Sequence, residues 1–144
     1  MKKWVFVLAA ILAAASTTGC ANRATAKVDP SADLAASKTI RVVKVPKETA
    51  GIDALIADDL RRRGYAVTAS PETRTDVDAI VTYVDRWMWD ITMYLLELTV
   101  TIREGKTEFP LATGNSMHTS LTRKSPPEMV DEVMNNIYTE ATQK

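Results

Sequence analysis

Two long β-rich runs in the second half of the chain constrain its fold more than any other feature. They cover residues 78–89 and 91–103 and adjoin at Asp90, a pattern typical of an antiparallel hairpin. In the second run, residues of one parity are polar or charged, so the opposite face is predicted to be buried. The apolar residues of that face are Tyr94, Leu96, Leu98, Val100 and Ile102.

The residues before the hairpin predict a strand, a helix and a second strand. Residues 39–45 are β-rich and stop at Pro46, and residues 65–69 regain strand character after Gly64. Between them, apolar residues follow the spacing of one helix face from Thr49 onwards, at Ile52, Leu55, Ile56 and Leu60. This order implies two parallel strands joined by a right-handed crossover.

Two further elements follow the hairpin. Residues 109–121 form a weaker, more polar run that suits an edge strand. The closing helix has a well-marked start, with Ser125 as N-cap, Pro126 at the first position and Glu128 completing a capping box. The element order β-α-β-β-β-β-α predicts the α+β class, with a mixed, mainly antiparallel sheet of four to five strands covered by two helices.

The N-terminal residues are typical of a secretory signal. Lys2 and Lys3 precede an apolar run over residues 4–15, and small residues lead from there to Cys20, the single cysteine of the chain. The apolar run is shorter than the about 20 residues that a membrane-spanning helix needs. We therefore expect residues 1–19 to be a cleaved signal peptide.

The dipeptide Gly19-Cys20 resembles the lipobox of bacterial lipoproteins, although Thr17 stands where leucine is usual. The resemblance implies that Cys20 receives diacylglycerol and a fatty acyl chain such as palmitate, and becomes the new N-terminus. Ala21 resembles the sorting residue of lipoproteins destined for the periplasmic face of the outer membrane. The alternative is ordinary signal cleavage nearby, with Cys20 unmodified.

The remaining chain is predicted to have two parts. Residues 20–38 are rich in Ala, Ser, Thr and Asp and hold only Val28 and Leu34 as larger aliphatic residues, so we expect a lipidated, flexible tether. Residues 39–144 form a single domain of periplasmic type. Loss of Lys2 and Lys3 leaves a small negative net charge, which gives no indication of nucleic-acid binding.

The side chains that could perform chemistry are scattered along the sequence. His118 is the single histidine and is predicted to be solvated on an edge strand. The acidic pairs at 58–59 and 131–132 are interpreted as solvated helix faces, and the arginines at 61–63 as helix-terminal charges. We therefore expect no metal, no cofactor beyond the acyl lipid on Cys20, and no enzymatic activity.

The segment around Arg86, Trp87 and Trp89 is the candidate partner-binding site. Strand alternation places Trp87 and Trp89 on one face and Arg86 on the other. In one interpretation both tryptophans cap the core; in the other they form an exposed aromatic surface that binds an envelope protein.

The order of elements over residues 39–140 resembles small periplasmic domains of envelope machinery. These include the amino-terminal domain of the Tol-system periplasmic protein and the accessory lipoproteins of envelope assembly, and residues 85–90 and 121–128 resemble a lipoprotein family. The resemblance implies a lipid-anchored periplasmic adaptor that assists a larger cell-envelope complex without catalysis. A small lipoprotein that binds an apolar ligand or lipid is the alternative, and a hydrolase built on Asp and Ser residues is a third hypothesis.

Overall fold

The computed structural model describes residues 22–46, 50–70 and 76–143. The predicted signal peptide and Cys20 lie outside these residues. The described part contains a six-stranded sheet and two α-helices, which confirms the α+β class. Its strands are β1 (Arg23–Val28), β2 (Thr39–Val43), β3 (Ala66–Ser70), β4 (Ala79–Asp90), β5 (Thr92–Glu104) and β6 (Pro110–Met117). Its helices are α1 (Ile52–Arg62) and α2 (Pro126–Thr142), and single 3₁₀ turns occur at Leu34–Ala36 and Ser120–Thr122.

The strands lie in the order β1-β6-β5-β4-β2-β3. β2 is parallel to both β3 and β4, and the remaining pairs are antiparallel. The parallel pairing of β2 with β3 across α1 confirms the predicted strand-helix-strand unit. Neither described helix has the length and apolar character of a membrane-spanning segment.

The segment predicted to be a tether is instead part of the fold. β1 pairs along its whole length with β6, and the side chains of Val28 and Leu34 are only 6% and 5% exposed. Asp33 caps the following 3₁₀ turn by accepting hydrogen bonds from the backbone N–H groups of Ala35 and Ala36. The prediction of flexibility is therefore wrong for residues 22–38, because a segment without a core of its own can still bury two aliphatic side chains in a core supplied by others.

The same pairing changes the place of β6. It was predicted to be an edge strand, but it lies between β1 and β5. Its polar residues alternate with small buried ones, Ala112, Gly114 and Ser116. Small side chains on the buried side let a helix approach this strand closely.

Helix α2 lies directly on β6 at Gly114. A β-carbon at this position would lie 2.8 Å from Cγ1 of Ile137 and 2.9 Å from Cγ1 of Val133. The predicted capping box at Ser125 and Glu128 is present and sets the start of the helix. The helix buries one stripe against the sheet, consisting of Met129, Val130, Val133, Met134 and Ile137.

The β4–β5 hairpin contains a bulge that the sequence pattern did not reveal. Arg86 pairs with Glu97, but Trp87 pairs with Leu95, so Leu96 is the extra residue. Leu98, Val100 and Ile102 follow the predicted burial. Beyond the bulge the parity changes, and Leu95 is buried in the core in place of Leu96.

The burial of Leu34 can be tested by mutation. Leu34→Ala should lower the free energy of unfolding by about 2–5 kcal/mol, because it leaves a cavity in the core. The control is Leu121→Ala, the same change at a leucine that is 87% exposed in the other 3₁₀ turn. Urea unfolding followed by circular dichroism measures both, and equal, small effects would restore the tether interpretation.

Candidate functional site: the hairpin arm

The tip of the β4–β5 hairpin projects beyond the rest of the sheet. β2 pairs with β4 only as far as Val81, and β6 pairs with β5 only from Glu97 onwards. Residues 87–95 therefore form a two-stranded extension, which we call the hairpin arm. It contains two of the three residues that the sequence predicted for partner binding.

The two tryptophans of the arm have different environments. Trp87 is partly buried against the core, and its indole Nε1 donates a hydrogen bond to Oδ2 of Asp85 at 2.6 Å. Trp89 shares the parity of Trp87 but is 68% exposed. The packing interpretation therefore fits Trp87 and the exposed interpretation fits Trp89, while a role in partner binding stays a prediction for both.

Exposed apolar side chains cluster at the end of the arm. Trp89 pairs with Met93 across the hairpin, and the chain reverses at Ile91. We call the set of Trp89, Ile91 and Met93 the apolar end; these residues are 68%, 86% and 56% exposed. Exposed apolar side chains that lie together in this way are typical of sites of interaction with proteins or membranes.

The turn residue of the arm is strained. Ile91 has a φ of 62°, a left-handed conformation that a β-branched residue rarely adopts. Such a conformation costs about 1–3 kcal/mol and persists only where the surroundings enforce it. Ile91 is also the most exposed of the apolar residues in the arm.

The 3₁₀ turn Ser120–Thr122 and the residue after it brace the arm. The Ser120 hydroxyl donates a hydrogen bond to the carboxylate of Asp90. Arg123 donates from Nη1 to the Thr92 hydroxyl at 2.9 Å, and its guanidinium stacks over the Tyr94 ring at 4.7 Å. These contacts hold both strands of the arm against the loop that precedes α2.

Arg86 lies at the base of the arm and points to the other face of the sheet. Its Nη1 donates to Oε2 of Glu97 at 2.9 Å, while Arg23 Nη2 and Asn115 Nδ2 each donate to Oε1 at 2.9 Å. The hydrogen bond from Asn115 lowers the pKa of Glu97; partial burial opposes this effect, and Arg86 and Arg23 add to it. Glu97 is thus an ionised clamp that joins β1, β4 and β6 to β5.

Two exposed apolar residues flank Arg86 along β4. Val84 is 63% exposed and Met88 is 44% exposed, and both have the parity of Arg86. We call Val84, Arg86 and Met88 the β4 strip. The guanidinium of Arg86 remains accessible, since its side chain is 64% exposed even while it binds Glu97.

A second carboxylate clamp lies under α2. Glu132 accepts hydrogen bonds from Lys124 Nζ at 2.6 Å, Ser116 Oγ at 2.5 Å and His118 Nε2 at 2.7 Å. Partial burial acts to raise the pKa of Glu132, but these three hydrogen bonds outweigh it and lower the pKa to about 2.

His118 and Glu132, both predicted to lie in solvent, are at least partly buried, so the structure corrects both predictions. His118 is only 6% exposed, because it continues β6 beneath α2 and there meets Glu132. Ser116 and His118 bind the same carboxylate, whereas a nucleophilic triad requires the histidine to lie between the serine and the carboxylate. Within residues 22–46, 50–70 and 76–143, no three His, Cys, Asp or Glu side chains form a metal-ligand group.

The arginine run at the end of α1 also forms a clamp. Asp59, predicted to be solvated, is only 4% exposed and accepts a hydrogen bond from Arg63 Nε at 2.6 Å. Arg62 bridges to Asp131 of α2 at 3.0 Å, and Arg63 stacks over the Tyr138 ring at 4.4 Å. The run therefore ties α1 to α2.

Two of the clefts on the described surface give the ligand-binding alternative no specific support. One of about 170 Å³ lies between Leu34, Tyr65 and Tyr138, below the roughly 300 Å³ at which small-molecule sites begin. A wider one of about 510 Å³ is lined by small and charged residues, Lys38 and Arg63 among them. Sites for apolar ligands are instead lined mainly by hydrophobic and aromatic side chains.

Comparison with known proteins identifies fold relatives. No family model matches the sequence, and no curated protein matches it. The structure is similar to a subunit of the PelC dodecamer from Paraburkholderia phytofirmans, with a TM-score of 0.60, 12% identity, and coverage of 81% of this chain and 98% of that one.

Two larger proteins contain a similar fold. TolB from Acinetobacter baumannii gives a TM-score of 0.50 at 14% identity, covering 84% of this chain and 32% of that one. A PDZ domain protein from Parabacteroides distasonis gives 0.52 at 12% identity, covering 90% and 38%. Likeness at this level of identity concerns the fold alone, and the match to PelC covers nearly the whole of the PelC chain.

The different environments of the two tryptophans predict different effects on stability. Trp87→Ala should lower the free energy of unfolding by about 2 kcal/mol or more, because it removes core contacts and leaves Asp85 without the indole donor. Trp89→Ala should change it by about 0.5 kcal/mol or less. Urea unfolding of the two variants measures the difference; a larger loss for Trp89→Ala would contradict the assigned environments.

The Glu132 clamp predicts a pH dependence of stability. Because the folded-state pKa of about 2 lies below the ordinary 4.5, the clamp stabilises the fold above about pH 4.5 and loses this contribution as the pH falls towards 2. The contribution is of the order of 3 kcal/mol. In Glu132→Gln, the free energy of unfolding should fall less over this pH range than in the native protein.

A matched control for this pH dependence is Glu140→Gln, which removes an exposed carboxylate from the same helix. It should retain the native pH profile in urea unfolding between pH 2 and pH 6. Identical profiles for Glu132→Gln and the native protein would show that the clamp does not hold an ionised carboxylate.

Proposed function

We propose that this chain is a lipid-anchored periplasmic module that binds a larger cell-envelope assembly and assists it without catalysis. The signal-like N-terminus and the lipobox-like Gly19-Cys20 support export and lipid attachment, with the outer membrane as the expected location. The fold shared with a subunit of the PelC dodecamer supports a role in assembly. The similar domain within TolB supports an association with the envelope.

The β4 strip is the observation that carries the binding role. It places an accessible arginine between two exposed apolar side chains on the face of β4 opposite the core. Arginine and methionine are enriched at protein interfaces, and arginine is frequent among residues that dominate binding energy. Glu97 already holds the Arg86 guanidinium in one orientation, which reduces the entropy lost when a partner binds.

The contacts of the acidic residues support a structural role for them and not a catalytic one. Glu97, Glu132 and Asp59 each accept hydrogen bonds from two or more protein side chains. A carboxylate whose acceptor sites are occupied in this way is poorly placed to act as a general base. The partner, which is either an envelope protein or a second copy of the chain, would therefore recognise a rigid surface.

Site-specific crosslinking in intact cells tests this proposal. A photo-crosslinking residue at position 84, in the full-length chain, should give an adduct of discrete mass with an envelope protein or with a second copy. The control position is 109, since Phe109 is 51% exposed but lies in the loop after β5, where its carbonyl accepts a hydrogen bond from Glu104. Adducts from position 84 and none from position 109 are expected.

Labelling with a fatty acid tests the anchor in the same cells. The native chain should incorporate the label and sediment with membranes, and Cys20→Ala should do neither. Native protein that stays unlabelled would contradict the anchor. Labelled protein that gives no adduct from position 84 would contradict the partner role of the β4 strip.

A further inference from the structure

The first described residue lies beside the hairpin arm. The Thr122 hydroxyl donates a hydrogen bond to Oδ1 of Asn22 at 2.5 Å. Thr122 belongs to the 3₁₀ turn that braces the arm through Ser120 and Asp90. The chain therefore enters the domain at the end of the sheet from which the arm projects.

The strand pairing leads to the same placement independently. Arg23 begins β1 and pairs with Met117 at the end of β6, and Met117 in turn pairs with Glu97 at the base of the arm. Arg23 also binds Glu97 directly, through Nη2 to Oε1 at 2.9 Å. Backbone register and side-chain contacts thus both hold the start of β1 next to the arm.

Cys20 is two residues before Asn22 in the sequence. Because two residues span at most about 7 Å, a lipid on Cys20 would enter its bilayer close to the site where Asn22 contacts Thr122. The residues that follow Asn22 do not act as a flexible spacer, since β1 begins at Arg23 and is paired along its whole length. A membrane that holds the acyl chains would therefore also contact the hairpin arm, which projects from this end of the sheet.

The side chains that project there are suited to the interfacial layer of a bilayer. The apolar end consists of a tryptophan, an isoleucine and a methionine, each more than half exposed. Tryptophan is enriched at membrane–water interfaces, and interfacial binding strengthens with the apolar area that is buried. A lipid surface would also explain why the strained Ile91 points away from the domain.

We infer that the apolar end inserts into the headgroup layer of the same membrane that receives the lipid on Cys20. The inference rests on the proposed function for the anchor and adds a second attachment point, with the orientation that follows from it. The domain would contact the membrane through its arm, and the rest of the sheet would extend away from the bilayer. Phe109, at the other end of β5, would then face away from the bilayer.

Depth-dependent fluorescence quenching tests the inference. The probe is vesicles of phosphatidylethanolamine and phosphatidylglycerol, with and without bromine atoms on the upper part of the acyl chains. In the acylated, signal-cleaved Trp87→Phe variant, Trp89 is the single indole, because Trp4 leaves with the signal. Its emission should shift to the blue and should be weaker in brominated vesicles than in plain ones.

Three further variants serve as controls. In Trp89→Phe the remaining indole is Trp87, which packs on the core and should show little loss of emission to brominated lipid. In Trp87→Phe combined with Ile91→Asp, the acyl chains should keep the protein on the vesicles while Trp89 loses its contact with lipid. Phe109→Asp in the same background should leave the quenching of Trp89 unchanged.

The outcomes distinguish a failure of the inference from a failure of the anchor. Acylated, vesicle-bound protein whose Trp89 is quenched by aqueous iodide and not by brominated lipid would overturn the inference and leave the anchor intact. Native protein that is isolated without acyl chains, and whose Trp89 is still quenched by brominated lipid, would support the inference and contradict the anchor. Trp89 that is shielded from iodide in detergent by a protein partner, with no quenching by lipid, would also overturn the inference.

Discussion

The packing of α2 on β6 is the interaction on which the rest of the structure depends. Gly114 allows the helix to approach within contact of the strand, and Glu132 then reaches Ser116 and His118 at the strand end. The same carboxylate holds Lys124, so it also fixes the loop between β6 and α2. That loop carries the 3₁₀ turn that braces the hairpin arm, and the position of the arm therefore depends on a helix–strand contact in the core.

The addition of β1 to the sheet determines where the chain enters the domain. Its pairing with β6 brings the start of the chain to the arm, and Glu97 secures the junction by binding Arg23 and Arg86 together. The β4 strip and the apolar end are consequently two separate surfaces of one rigid unit. Our proposals assign a protein partner to the first and a lipid surface to the second, so that a membrane contact would orient the strip towards its partner.

Most of the fold could be predicted because its signals are local. The spacing of Ile52, Ile56 and Leu60 indicates a helix wherever it is placed, and the Ser125 capping box specifies a helix start within four residues. The candidate site could be predicted only in part. Alternation placed Trp87 and Trp89 on one face, but exposure depends on where the core ends, and no periodicity in the sequence records that position.

The sequence by itself determined the α+β class, the hairpin, the parallel strand pair and the start of the last helix, because each follows from the spacing of neighbouring residues. The tertiary structure alone decided that residues 22–38 fold, that Leu96 is a bulge, and that His118 is buried beside Glu132. Each of these depends on a partner in another element: β6 for β1, β4 for the bulge, and α2 for His118. Such pairings depend on backbone hydrogen bonds and packed volume, which the order of residues in a short segment does not encode.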